Sequence, residues 1–467
     1  TTIDWSEIRR THESKTRTEV GVKRLVADGE VTIVDPTDGL DIRADRVDCH
    51  LTDGSEISTA LVVGTDAHPA SAKLRDLTVT GAEIQLNVPD EWAIVPGPGR
   101  MTFHSYKDLD GRAVAESIPI SVTWQERMKY QGRENRAAFV GDVHAASAST
   151  TVDCDDRLIV EFDEVATPSS AHATEEDWWI FHDLFAELSG AGKDQRRKIE
   201  RRSFSKEPAH ILATGKARVE TSVFDLDSGE RESRALLIGP RLSLNLRSDV
   251  SKMLIEGPGK LLLEDFRPAQ EPNESKKTKP KKDTGFFSMA RNSGPSKTLI
   301  EWKQLMWYDF SIDQTRFEGE VSLKHFSGAV LEKYFGVAKA GGAGTPPGRE
   351  TYLTCDVLTV DFLDRNARRR EPKQRQMGGL SGDRLRQFQA SGSVELQDET
   401  ENLWLLADRL VFERDRQILA IYGLPNQRAR IYRYGKGTAH GTIQVERAFY
   451  NLATGELESV NVSGSGR

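Results

Sequence analysis

The chain has little cysteine: Cys49, Cys154 and Cys355 are the only three among 467 residues. So small and odd a number cannot build a disulfide framework, so burial has to hold the fold. No stretch approaches the ~18 consecutive apolar residues of a membrane-spanning helix, which leaves β-barrels untouched. Charge of one sign is also missing. With 64 basic and 72 acidic residues the net charge is −8, and no nucleic-acid partner is expected. Sequence motifs of common chemistries are absent: there is no G-x-S-x-G, Walker A, H-E-x-x-H, C-x-x-C or EF-hand pattern. The glycines of 341–348 make no phosphate loop, because Pro346 and Pro347 stand where a helix would open. Thr1 is not followed by the charged start and apolar run of a signal peptide, so these residues do not give the compartment.

What is present is a period of two. Val31-Thr32-Ile33-Val34, Val357-Leu358-Thr359-Val360-Asp361-Phe362 and Val394-Glu395-Leu396-Gln397 alternate as half-buried strands do. Turn signals such as Thr52-Asp53-Gly54, Asp227-Ser228-Gly229 and Ala453-Thr454-Gly455 separate such runs, which recur every ~10 residues. This spacing predicts an all-β chain: a sandwich, jelly roll or solenoid.

The sequence repeats itself. Ala27-Asp28-Gly29-Glu30-Val31, Ala213-Thr214-Gly215-Lys216-Ala217 and Ala390-Ser391-Gly392-Ser393-Val394 share the form A-x-G-x-(V/A). Ala44-Asp45-Arg46-Val47 follows the first and Ala407-Asp408-Arg409-Leu410 the last, 16 residues from glycine to aspartate each time. On top lies a duplication: Trp124, Met128, Tyr130, Gly141 and Val143 recur as Trp302, Met306, Tyr308, Gly319 and Val321, at an offset of 178. Upstream, Gly97-Pro98-Gly99-Arg100 matches Gly257-Pro258-Gly259-Lys260 at an offset of 160. A third copy starts near Ala390 and stops in mid-unit at Arg467, as expected of a piece of a longer protein.

Three segments break the strand pattern. Residues 175–202 carry Trp178, Trp179, Phe181, Leu184, Phe185 and Leu188 at helical spacing, predicting one amphipathic helix. Residues 268–298, with Lys276 to Lys282 among Pro, Ser and Asn, predict a disordered loop. Residues 365–387, with Arg368-Arg369-Arg370, predict a basic linker. His182 beside Asp183, and Asp153, Asp155 and Asp156 around Cys154, are the nearest approaches to a catalytic pair or metal site. The first falls on the predicted helix. The second loses two carboxylates in the equivalent Thr354-Cys355-Asp356. No catalytic residue, metal or cofactor is assigned. The Asp and Arg of the A-D-R repeat are read as scaffold, as residues recurring in each unit of a stack are.

Ala390 to Leu396, Ala407 to Phe412 and Ile421-Tyr422-Gly423-Leu424-Pro425, with Ala27 to Val47, resemble the repeat of the OstA/LptA-type lipopolysaccharide-transport family: "A-x-G-N-V", then "A-D-x-(L/V)-x-Y", then "G-x-P". The resemblance implies a repeated, twisted, open β-jelly roll, or β-taco, stack that shelters acyl chains along an apolar interior. It also implies a periplasmic or envelope location, a lipid A or lipopolysaccharide-like amphiphile as cargo, and other β-jelly-roll transport proteins as partners through edge-strand pairing. The expected organisation is a first unit at 1–170, a helical insertion at 171–208, a second unit at 209–364, the linker 365–387 and a third, incomplete unit at 388–467. The expected groove residues are Val31, Ile33 and Val47 in the first unit and Val394, Leu396, Leu410 and Phe412 in the third. Two other readings are a structural envelope β-repeat protein without cargo and a carbohydrate-active β-helix enzyme.

Overall fold

A computed structural model describes residues 2–4, 23–35, 40–51, 57–65, 67–74, 77–107, 109, 113–166, 204–225, 228–247, 251–267, 295–328, 331, 348–362, 385–399, 402–424, 426–433, 441–451, 454 and 456–466. Among them the chain is all-β, with thirty-one strands. The predicted helix at 175–202, and most of the expected loop and linker, lie outside the described residues. Past Pro295 the described loop and linker ends are strand: Ser296, Lys297 and Thr298 belong to Ser296–Trp302, and Leu385, Arg386 and Gln387 to Leu385–Asp398. Hydrophobic alternation resumes earlier than the charge pattern suggested.

Among the described residues the pairings whose register is resolved are antiparallel, except that Thr2–Asp4 runs parallel to Arg24–Asp35. Antiparallel meanders are incompatible with the stacked parallel coils of a β-helix, so that alternative fold is excluded. The chain divides into two compact units, residues 1–217 with 243–247, and residues 218–242 with 248–467.

In both units a long strand carries two different ladders, one on each half of its length. In the first, Leu40–Leu51 pairs through Arg46–Leu51 with Ile57–Val63 and through Leu40–Arg43 with Ala70–Leu74. In the second, Leu403–Glu413 pairs through Arg409–Glu413 with Ile418–Tyr422 and through Leu403–Leu406 with Ala429–Arg433. The ladder thus forks into two branches, and the forks fall on Ala44-Asp45 and Ala407-Asp408. The A-D-R repeat marks where the sheet divides.

The glycine repeat marks the corner of the adjoining strand. Gly29 and Glu30, Gly215 and Lys216, and Gly392 and Ser393 are successive residues with φ between 45° and 79°, save Glu30 at 43°. Gly141-Asp142 and Gly319-Glu320 have the same two-residue left-handed conformation. Register shifts across three of these corners, between Asp28 and Val31, Glu318 and Val321, and Ser391 and Val394. Each is a β-bulge that bends the strand without ending it. Neighbouring segments crowd four of these five glycines, all but Gly29. A Cβ on Gly392 would lie 2.2 Å from the Asp356 carboxylate, and one on Gly215 2.7 Å from Asp156.

The 178-residue duplication has one structural content. Trp124 donates its indole N–H to the Gly97 carbonyl at 3.0 Å, and Trp302 to that of Gly257 at 3.1 Å. Each ring covers the second glycine of its Gly-Pro-Gly turn, where a Cβ would come within 2.4 Å of it. Each also meets a phenylalanine, Trp124 with Phe139 at 5.4 Å and Trp302 with Phe317 at 5.3 Å.

These corners can be tested by paired substitutions. Gly29 has open space around its missing side chain, so Gly29→Ala should cost about 1–2 kcal/mol of left-handed strain. Gly392→Ala adds the collision with Asp356 and should cost about 1–3 kcal/mol more. Urea unfolding of both variants measures the difference; equal losses would show that the corners are not packed.

Candidate functional site

The inner faces of the branches are built from rungs, residues directly paired across successive strands. In the second unit one rung runs Leu237, Leu261, Ile300, Leu323, Leu353, Leu396, Leu405, Ile431, Ile443 through nine strands. The other branch carries Ile255, Met306, Phe317, Leu358, Ala390, Leu410, Ile421, Ala448. In the first unit one branch carries Ile33, Ile42, Ala72, Val79, Met101, Val122, Ala145, Val152. The other carries Leu25, Cys49, Ala60, Leu86, Ala93, Tyr130, Ala137, Val160, Ile211. Alternation with period two puts every member of a rung on one face, and pairing register aligns the rungs.

All seven residues expected to line a groove face inward: Val31, Ile33, Val47, Val394, Leu396, Leu410 and Phe412 are at most 3% exposed. Val411 is also buried, at 6%, beside buried Ala420 on the opposite face, so this part of Leu403–Glu413 is covered on both sides. Among the described residues these side chains are closely packed. In the first unit the space between the branches, bounded by Met101, Phe103, Ile120, Phe139, Leu158 and Ile211, leaves a cavity of only about 20 Å³, room for about one water.

One end of the second unit's interior is polar, and sequence patterning did not reveal it. Thr298, His325, Thr351 and Asp398 form the next rung beside Ile300, Leu323, Leu353 and Leu396, and all four are buried. His325 Nδ1 lies 2.9 Å from Thr298 Oγ1. Arg349 Nη2 donates to Asp398 Oδ2 at 2.6 Å, with side chains 8% and 0% exposed. Burial above all, then the Arg349 charge, pushes the His325 imidazole down to about 3. The available signal was position: His325 is two residues from Leu323 and four from Val321, on the inward parity of its strand.

The remaining sequence candidates do not converge. His182 and Asp183 lie outside the described residues. Asp153 faces outward, 2.5 Å from His144, whereas Cys154 on the next position is buried. Arg46 reaches Asp28 at 3.4 Å and Asp48 at 3.6 Å, and Arg409 lies over the Tyr422 ring at 5.5 Å, so the repeated arginines bind neighbouring strands together on the outer surface.

No family model and no curated protein matches the chain. Among solved structures it is similar to LptH of Pseudomonas aeruginosa, described as the LptA-homologous periplasmic component of the lipopolysaccharide transport device. The identity is 14%, over 27% of this chain and 80% of that one, at a TM-score of 0.20.

Two titrations report on the interior. Burial pushes the Cys49, Cys154 and Cys355 thiols up to about 12, so at pH 8 the folded chain should not react with Ellman's reagent, while urea should release three thiols. His325 is neutral in both states above about pH 6.5. Below that the unfolded chain takes up a proton that the folded chain refuses until about 3. Stability should therefore fall as pH drops through this window, by at most ~1.4 kcal/mol per unit from this group. His325→Gln should flatten the slope between pH 6.5 and 4 relative to the parent in urea titrations, and parallel slopes would contradict the assignment.

Proposed function

We propose that the protein is a non-catalytic carrier or bridge for an amphiphile of the lipopolysaccharide type, whose acyl chains enter between the two branches in the periplasm or envelope. The observation that supports this most is the rung from Leu237 to Ile443, nine aliphatic side chains on nine strands without a polar interruption. An acyl chain lying along it would gain roughly 25 cal/mol per Å² of apolar surface removed from water. The branches are joined by strands that run through both, such as Gln314–Ser327 and Leu385–Asp398, and side chains such as Trp302 and Phe317 meet between them. Val31, Ile33, Val47, Val394, Leu396, Leu410 and Phe412 would contact the cargo, and edge strands would recruit further β-jelly-roll modules. The expected division into three repeat units, with its boundaries at 170, 208, 364 and 387, belongs to this reading.

One observation favours a structural module without cargo: the described interior side chains are already closely packed, with Leu396, Leu410 and Phe412 at 0% exposure. A photo-crosslinking amino acid at Phe412 or Leu396 distinguishes the two. Irradiated with purified lipopolysaccharide, a carrier should give a lipid adduct at both positions and none at the outward Arg409. It should also melt at higher temperature with the lipid present. No adduct, or equal labelling at Arg409, would leave the structural module.

A further inference from the structure

The outer face of the second unit carries an arrangement that the interior does not need. Trp404 stands on the surface side of Leu403–Glu413, between Gln397 and Tyr432 in the same cross-strand row. Its ring stacks on that of Tyr432 at 4.6 Å and 24°, and its indole N–H donates to Glu395 Oε1 at 2.9 Å. With one face covered and the N–H engaged, the indole is held in a single orientation. Trp404 also borders an open pocket of about 480 Å³ on the side of Gln397, lined by Glu395, Gln397, Asp398, Glu399, Asn402, Leu403 and Trp404.

The pocket is also fastened from below. Asp398 at its base is tied to Arg349 inside the fold, and Glu399 N donates to the Glu350 carbonyl at 3.2 Å. A buried ion pair gains little net stability, because desolvating two charges offsets their attraction. Its effect here is geometric: it anchors the hairpin that presents Glu399 and Asn402 beside the indole.

We propose that this pocket is a carbohydrate-binding site that takes a neutral sugar ring stacked on Trp404. The lining specifies the class. Glu395 and Glu399 only accept hydrogen bonds, so the ligand must bring donors; Gln397 and Asn402 both donate and accept. A pyranose offers a flat C–H face to the indole and hydroxyls that serve as both donors and acceptors around its rim. A phosphate or carboxylate ligand would meet acids and no arginine or lysine among the lining residues. A purely apolar ligand would strip water from the carboxylates without replacing it. A simple cation would satisfy the acids but leave the amide donors of Gln397 and Asn402 unused. The volume suits one or two sugar rings. This site does not depend on whether the interior carries a chain.

Isothermal titration of the whole chain with cellohexaose, maltohexaose, chitohexaose and mannohexaose tests the assignment, with choline chloride as the competing cation. At least one hexasaccharide should bind, and choline should not displace it. Trp404→Ala and Gln397→Ala should each weaken binding tenfold or more. Gln397→Ala, on an exposed side chain, should leave the melting temperature in place, so its loss of binding cannot be ascribed to unfolding. Absence of binding by all four sugars would overturn the proposal. So would retention of full affinity in both variants, or binding of choline alone.

Discussion

The architecture rests on one conformational requirement: a strand has to bend from one branch to the other without leaving its ladder. A bulge with two successive left-handed residues does this, and L-residues adopt that conformation at a cost of about 1–2 kcal/mol each. Glycine in the first position removes half of it. The rest is offset by the hydrogen bonds that the corners make with one another. Gly141 N donates to the Asp156 carbonyl at 2.9 Å, and Asp155 N to that of Gly215 at 2.7 Å. Corners therefore stack in a column, and the close approach of Asp156 to Gly215 and of Asp356 to Gly392 follows from that stacking.

Once the corner is set, inner parity decides the interior. Two registers meet across the bend, and each presents its own apolar rung. The second unit departs from this at one end, where Thr298, His325, Thr351 and Asp398 take inward positions. That polar rung is satisfied internally by Thr298 on His325 and Arg349 on Asp398, which is the condition under which buried polar groups are tolerated. The result is an interior with an apolar run and a polar terminus, next to the hairpin that carries Trp404.

Much of this was legible in the sequence. Alternation around Val394 and Leu396 gave the inward parity, and A-x-G-x-(V/A) with A-D-R gave the repeat, because glycine at a left-handed corner and a small residue at a fork are demanded locally. Alternation marks Leu410 and Phe412 less sharply, because Val411 between them is apolar and buried too. Ser296 to Thr298 and Leu385 to Gln387 were misassigned because lysine, arginine and glutamine on an outer face look like linker when read without their partners. Lys297, for example, pairs with Glu264 at 3.1 Å. His325 and the Arg349–Asp398 pair escaped because their burial depends on strands far apart in the chain. The same holds for the Trp404 and Tyr432 stack, which joins residues that only the ladder brings side by side.

The column of corners also limits how such a chain can diverge. One residue added to a strand on one side of its corner would invert every side chain beyond it, turning an apolar rung outward. Small insertions inside strands are thus penalised along a whole branch, whereas length between strands is nearly free. The duplication bears the mark of this: its offset changes from 160 to 178 between Gly259–Asp265 and Ser296–Trp302, holds at 178 from Trp302 to Val321, and changes again between Gln314–Ser327 and Arg349–Phe362, where Cys355 matches Cys154. In such a molecule the smallest piece that can be added without disturbing register is a complete bent strand.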